Sequence, residues 1–407
     1  MTNKDKEVIR RLAGRTAELA ALPLQEEKRG LWRKYNGLKP GRPMVMIDQV
    51  CWNEMNVDDA LTLQCGDPVL REWELILRKQ LYQWKHFPVD SVIENFFRVP
   101  KAIEGMHFDI TPQEDILVGD ETNDVVSHAF TNQFTGIEDI AKIKMPVICH
   151  NEEETRRRTA LAEEVFDGLL DIRVDGWDPY LSVWDPISMW MGVENVLYAL
   201  ADDPEMMYAL AERVVAGYMS GLDQMTEQGL LCGPQSLIHC TGAWTDDLPL
   251  RKDDDFYTTN DIWMFGLAQM FSTVSPDMFE EYEINICMPI FKRFGLVYYG
   301  CCEPLDRKMD QVKRIPNLRK ISISPWADKR RGAEAIGSDY VFSHKPNPAY
   351  LVNFDESVIR SDIRETVRIC KENCCPLELI LKDISTVGYK PERLWRWSQI
   401  VMEEVQA

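Results

Sequence analysis

The sequence predicts an α/β chain folded as one (β/α)8 TIM barrel, carrying an N-terminal helical extension and helical insertions. Three observations predict it. In the last third, short apolar runs alternate with longer amphipathic stretches, the pattern of right-handed βαβ units on a parallel sheet. The 407 residues contain no repeat, low-complexity tract or flexible linker to divide them into several domains. No GxGxxG or Walker loop marks the nucleotide-binding half of an open doubly wound sheet.

Taken in order, residues 3–35 place Val8, Leu12, Leu19 and Leu22 at helical spacing among charges, and Gly37, Pro40, Gly41 and Pro43 end the pattern. Residues 1–40 therefore read as the extension and 41–407 as the barrel. Residues 43–48 are apolar and end on Asp48, as a buried parallel strand would. Residues 67–87 read as a helix, and 88–150 offer only short extended candidates at 90–93, 116–118, 125–130 and 145–149. Residues 151–170 and 187–230 are helical, the second broken at Asp203-Pro204, where proline suits a first turn. Residues 230–238 read as a further strand, closed by His239-Cys240. Beyond it, strands are expected at 295–299, 320–324, 340–343 and 378–382, and helices at 276–294, 305–315, 327–336, 355–371 and 391–405.

Composition narrows the function. Hydrophobic residues at 45% supply a large core and exclude disorder. Forty-six basic against 66 acidic residues leave a net charge of −20, which repels phosphate backbones and anionic lipid surfaces. Nucleic acid and membrane are thus excluded as expected partners, and a small-molecule substrate is favoured. A polar N-terminus and the lack of any apolar run long enough to span a bilayer predict a soluble, cytoplasmic chain. Eleven cysteines, an odd number spread along the sequence, read as reduced thiols open to metal ligation rather than a disulfide framework.

In such a barrel the chemistry gathers where strands end. Four strand ends carry reactive groups: Tyr299-Gly300-Cys301-Cys302-Glu303, Ser324-Pro325-Trp326, His344-Lys345-Pro346-Asn347, and Lys382-Asp383. Two thiols and a carboxylate past a buried strand can bind Zn²⁺, which needs only three protein ligands in an open catalytic site. A free cysteine is also commonly just a small buried hydrophobe. Adjacent side chains in extended chain point apart, so Cys301 shares a site with Glu303 more easily than with Cys302. Asp48, His344, Lys345 and the Lys382-Asp383 pair are the acid–base candidates, since charges closing apolar strands are costly unless paired or used. His239-Cys240 can supply another ligand or be an ordinary loop. Tyr299, Trp326 and Asn347 are candidates to line the substrate.

The chain resembles the uroporphyrinogen decarboxylase superfamily over most of its length after residue 40. The resemblance rests on Gly192-Val193-Glu194 leading to Asp203-Pro204-Glu205, Asp261-Ile262-Trp263 with Gln269, and Val274-Ser275-Pro276-Asp277-Met278-Phe279. It continues through Gly300-Cys301-Cys302-Glu303, Lys345-Pro346-Asn347-Pro348 and Pro391-Glu392-Arg393-Leu394. It implies the same barrel, and adds Trp263 and Gln269 to the substrate-lining candidates. The arginine-rich stretch by which the decarboxylases grip a tetrapyrrole is replaced here by Gly41-Arg42-Pro43-Met44, which disfavours a polycarboxylate substrate. The corrinoid-dependent methyltransferases of the superfamily hold zinc on a His-x-Cys pair and a later cysteine. Ungapped counting carries those positions onto Cys301, Glu303 and the vicinity of Asp383, with Cys302 one residue away. The resemblance thus implies zinc-assisted demethylation of a small methylated compound, such as a methoxylated aromatic, toward cobalamin on a partner corrinoid protein. The alternatives are a metal-free decarboxylase or lyase, and a barrel that binds a ligand without turnover.

Overall fold

In the computed structural model, residues 2–119, 121, 126–250 and 256–407 are described. The strands that matter to function are β1 (Met44–Ile47), β2 (Phe96–Pro100), β3 (Asp171–Asp175), β4 (Tyr180–Leu181), β5 (Leu237–Ile238), β6 (Thr241–Gly242), β7 (Trp263–Gly266), β8 (Leu296–Tyr299), β9 (Leu318–Ile323), β10 (Val341–His344) and β11 (Leu377–Leu381). Seven of them form one parallel sheet in the order β1-β11-β10-β9-β8-β7-β4. Beside it β2 and β3 pair in parallel. Asp90, ahead of β2, seals the edge of β1: its amide donates to the Val45 carbonyl and its carboxylate accepts from the Val45 amide. The parallel α/β order matches the expected architecture. Among the described residues the ladder does not close into one ring, and β1 and β4 remain its edges.

Strand alternation sorts side chains onto two faces. Val297, Tyr299, Ile321, Ile323, Phe342, Leu379 and Leu381 pack outward against the helices. Trp263, Phe265, Leu296 and Tyr298, and separately Met44, Met46, Val341 and Ile380, pack inward. The inward registers also carry Lys320, Ser322, Ser343, Lys345, Glu378 and Lys382, all buried. A β5–β6 hairpin fills the middle of this interior, and Trp32 and Tyr35 of the helix Pro23–Asn36 fill its floor. The indole lies so close to Gly242 that a β-carbon there would sit 2.4 Å from a ring atom. Lys320 pairs with Glu378 at 2.9 Å just above that floor. The first helix, Asn3–Ala20, packs Val8, Ile9 and Ala13 into a separate core with Trp73, Phe97 and Phe166.

Several boundaries differ from expectation for visible reasons. β2 and β3 lie outside the expected strands; Asp171-Ile172-Arg173-Val174-Asp175 carries charges on alternate residues and hides β3 behind polar composition. Residues 90–93 form no strand, and the helix expected at 151–170 ends at Phe166. The long helical region breaks at Gly192, whose φ of 77° only glycine adopts easily, as well as before Pro204. The helix expected at 276–294 runs from Pro276 to Phe291, with a π-helical segment, Glu280–Asn285, in its middle. Only Met309–Val312 of the helix expected at 305–315 forms. The strand expected at 230–238 reduces to a bridge between Leu231 and Trp177 and the two residues of β5. Of the candidate at 125–130, Ser127–Phe130 is a strand and Val125 lies outside the described residues.

Candidate active site

The sheet's C-terminal ends converge on a sulfur atom. Cys301 follows β8 across Gly300, whose φ of 93° turns the chain sharply inward. Its Sγ lies 3.0 Å from Lys382 Nζ, 3.5 Å from His239 Nε2 and 3.7 Å from Cys302 Sγ. Lys382, the residue after β11, also reaches Asp383 at 3.1 Å and His239 Nε2 at 3.4 Å. Cys302 donates to Asp383 Oδ2 at 3.4 Å. His239, at the tip of the β5–β6 hairpin, stacks on Phe265 with ring centroids 3.7 Å apart. Gln49, His239, Cys240 and Asp383 all have positive φ, of 47°, 33°, 68° and 55°. Such backbone costs energy at a non-glycine residue, and it collects here around one thiol.

Electrostatics make that thiol an anion. The Cys302 thiol donating to it, the His239 contact and the Lys382 charge together outweigh burial and hold Cys301 well below the ordinary thiol range. Cys302 is pushed the other way by the same contact and by burial. Burial disfavours the Lys382 charge, but the adjacent thiolate prevails and keeps its pKa high. His239 is lowered by burial, so it stands neutral beside the pair. Glu303 is wholly buried and pushed up to about 7, by burial first and then by the Cys301 charge. Its carboxylate accepts from the amides of Ala268 and Cys301 at 3.1 and 2.9 Å, so it pins the turn that presents the sulfur. Below, Lys345 donates to Tyr298 and to Ser343 Oγ, and burial brings it down to about 8.

The expected site residues separate into two groups. Cys301, Cys302, Lys382 and Asp383 meet as described, and Asp48 lies at the neighbouring strand end, its amide donating to the Leu381 carbonyl. Lys345 lies in the same interior. His344 faces the helix layer instead, bonding the Ile323 carbonyl through Nδ1 and leaving Nε2 buried without a partner. Tyr299 also points outward, onto Glu283 at 2.9 Å. Trp263 sits at the opposite end of its strand, donating to the Ala243 carbonyl. Gln269 is exposed in a 3-10 turn, Asn347 caps another such turn, and Trp326 stands 71% exposed in its loop. His239, Phe265 and Tyr298 complete the site. Of these, the sequence marks His239 through the His239-Cys240 dipeptide, since the two-residue strands of its hairpin leave no periodic signal.

The expected zinc set does not fit this arrangement. Ligand atoms around tetrahedral zinc lie roughly 3.5 to 3.8 Å apart, and His239 and Cys302 each stand at such a distance from Cys301. Glu303, however, is committed to backbone amides. The Lys382 ammonium already places a positive charge against both Cys301 and His239. Among the described residues no three His, Cys, Asp or Glu side chains form a metal-holding group.

No family model and no curated protein sequence matches the chain. A methyltransferase from Methanosarcina mazei has a similar fold, with a TM-score of 0.51 over 92% of this chain and 97% of that one, at 11% identity. At that identity the likeness is one of fold. No helix among the described residues is long and apolar enough to cross a membrane.

Proposed function

We propose that this chain is a methyltransferase of the uroporphyrinogen decarboxylase type, and that the β2–β3 pair fills the remaining side of its barrel. It takes a methyl group from a small methylated substrate, such as a methoxylated aromatic, for delivery to cobalamin on a corrinoid protein. The observation that carries this reading is the Cys301 thiolate, 3.0 Å from Lys382 at the ends of the strands. The fold likeness to a methyltransferase supports it.

A thiolate is the strongest nucleophile the side chains offer at neutral pH. Cys301 Sγ bonds the methyl carbon as that carbon's bond to the substrate heteroatom breaks, and the electron pair leaves with the heteroatom. Lys382 keeps the sulfur ionised and Glu303 fixes the turn that aims it. His239 on Phe265 forms a flat wall beside it. A cobalamin held by a partner corrinoid protein would supply the methyl acceptor, and handing the methyl group on would return Cys301 to the thiolate.

The test incubates the purified chain with cob(I)alamin and a panel of small methylated compounds, following methylcobalamin spectroscopically. Turnover is expected with at least one donor, falling at least 100-fold in Cys301→Ser. Equal turnover in that variant, or none with any donor, contradicts the reading. Elemental analysis of the same preparation addresses zinc: Lys382 in the cation's place predicts no stoichiometric metal.

A lyase reading draws on one observation, the buried Lys345 amine on Tyr298 and Ser343 with its pKa near neutrality, which suits proton transfer. Carbon dioxide release from a carboxylated substrate without corrinoid would select it.

A further inference from the structure

The thiolate has a second thiol at its side, and that pairing supports a chemistry independent of methyl transfer. We propose that Cys301 and Cys302 are a peroxide-responsive dithiol, a modification site at which hydrogen peroxide or a small organic hydroperoxide converts the pair to a disulfide.

The geometry supplies each part of such a site. Cys301 is 2% exposed and its sulfur lies 3.0 Å from Lys382 Nζ and 3.5 Å from His239 Nε2. Cys302 is half-buried, so it forms the side from which a small oxidant arrives, and its sulfur stands 3.7 Å from the first. Asp383 Oδ2 is 3.4 Å from Cys302 Sγ, placed to accept its proton. The other cysteines lack this combination. Cys51, Cys65, Cys232, Cys240 and Cys287 are buried and held protonated by desolvation, and Cys149 and Cys374 are exposed on the surface. Cys370 and Cys375 are a second contacting pair, but the Cys375 sulfur faces the Ala333 and Asn373 carbonyls at 3.4 and 3.8 Å, whereas Cys301 stands 3.0 Å from a lysine ammonium. Oxidation follows thiolate character and the presence of a resolving thiol, and the 301–302 pair presents both against that ammonium.

The chemistry balances in two steps. The Cys301 thiolate attacks one peroxide oxygen, the S–O bond forms as the O–O bond breaks, and the leaving hydroxide takes a proton from the Lys382 ammonium to become water. The Cys302 thiol then yields its proton to Asp383 and attacks the Cys301 sulfur. The S–S bond forms, the S–O bond breaks, and the departing hydroxide recovers that proton as a second water. The sulfurs are oxidised by two electrons and peroxide is reduced to two waters. Adjacent residues hold their Cα atoms about 3.8 Å apart, closer than disulfides prefer, so a dithiol reduces the product readily. The oxidised pair no longer offers a thiolate, and the site is switched off until it is reduced.

The test treats the reduced full chain with a small excess of hydrogen peroxide at pH 6, blocks remaining thiols with iodoacetamide, and maps peptides by mass. Expected is loss of both alkylation sites from the 301–302 peptide before Cys149 or Cys374 reacts, with recovery in dithiothreitol. Cys302→Ser should stop at a Cys301 sulfenic acid that dimedone captures, and Lys382→Met should slow the oxidation at least tenfold. Earlier reaction at the exposed cysteines, or passage of Cys301 to the sulfinic acid without a disulfide in the unmodified chain, would overturn the proposal. The readout is mass, not turnover, so its failure and that of the methyltransferase reading are separate results.

Discussion

A single step along β10 separates a buried histidine from a buried lysine with opposite consequences. His344 points into the helix layer and Lys345 into the interior, because neighbours on a strand face opposite sides. His344 therefore has no route to the sulfur. His344→Gln should leave the iodoacetamide reactivity of Cys301 within about twofold of the parent, and a tenfold change would place the imidazole in the site after all. Lys345, Lys382 and Lys320 share the interior, yet their partners differ. Lys320 is neutralised by Glu378, Lys382 by the thiolate and Asp383, and Lys345 meets only hydroxyls and a carbonyl. Those partners, and not residue type, assign one lysine to structure and another to chemistry.

Elements show where sequence reasoning works. The four C-terminal strands fall within two residues of their expected bounds, because amphipathic stretches separate short apolar runs there. The thiol, lysine and carboxylate on their ends were legible for the same reason. β3 and most of the β5–β6 hairpin are not, since two-residue strands and alternating charges carry no period to detect, although His239-Cys240 stands out as a possible ligand pair; β7, a buried apolar run at Trp263–Gly266, lies outside the expected strands as well. The π-helical segment was equally invisible. It buries Glu283 against Tyr299 at 2.9 Å and Cys287 at 3.3 Å, and burial raises its pKa to about 8. A raised carboxyl pKa means that the folded chain keeps a proton the unfolded chain has lost, so stability falls as pH rises from about 4.5 to about 8. Glu283→Gln, neutral throughout, should remove that slope and gain more than about 1 kcal/mol over the parent at pH 8.5 in urea denaturation. An unchanged slope would show that Glu283 does not hold the proton.

At the scale of the molecule, the N-terminal helices and the parallel sheet pack against each other. Trp32 fills the floor, donates to the Asp90 carbonyl at 3.0 Å and touches Gly242, so the hairpin that carries His239 rests on a residue of the extension. Trp32→Ala should cost about 3 to 5 kcal/mol by the usual penalty for emptying a buried aromatic site. A loss below 1 kcal/mol in chemical denaturation would mean that the floor can close without it. The acidic surface repels anions, yet the interior sets one lysine ammonium, Lys382, against the Cys301 sulfur at 3.0 Å. That contrast places the positive charge where the chemistry is. The methyl transfer and the dithiol oxidation proposed for Cys301 both depend on its sulfur being ionised by Lys382. The most direct test is the pH dependence of Cys301 alkylation, read by mass in the parent and in Lys382→Met. The rate should be flat from pH 5 to 8 in the parent and should rise with pH in the variant. A parent rate that climbs about tenfold per pH unit toward the ordinary thiol value near 8.5 would contradict it.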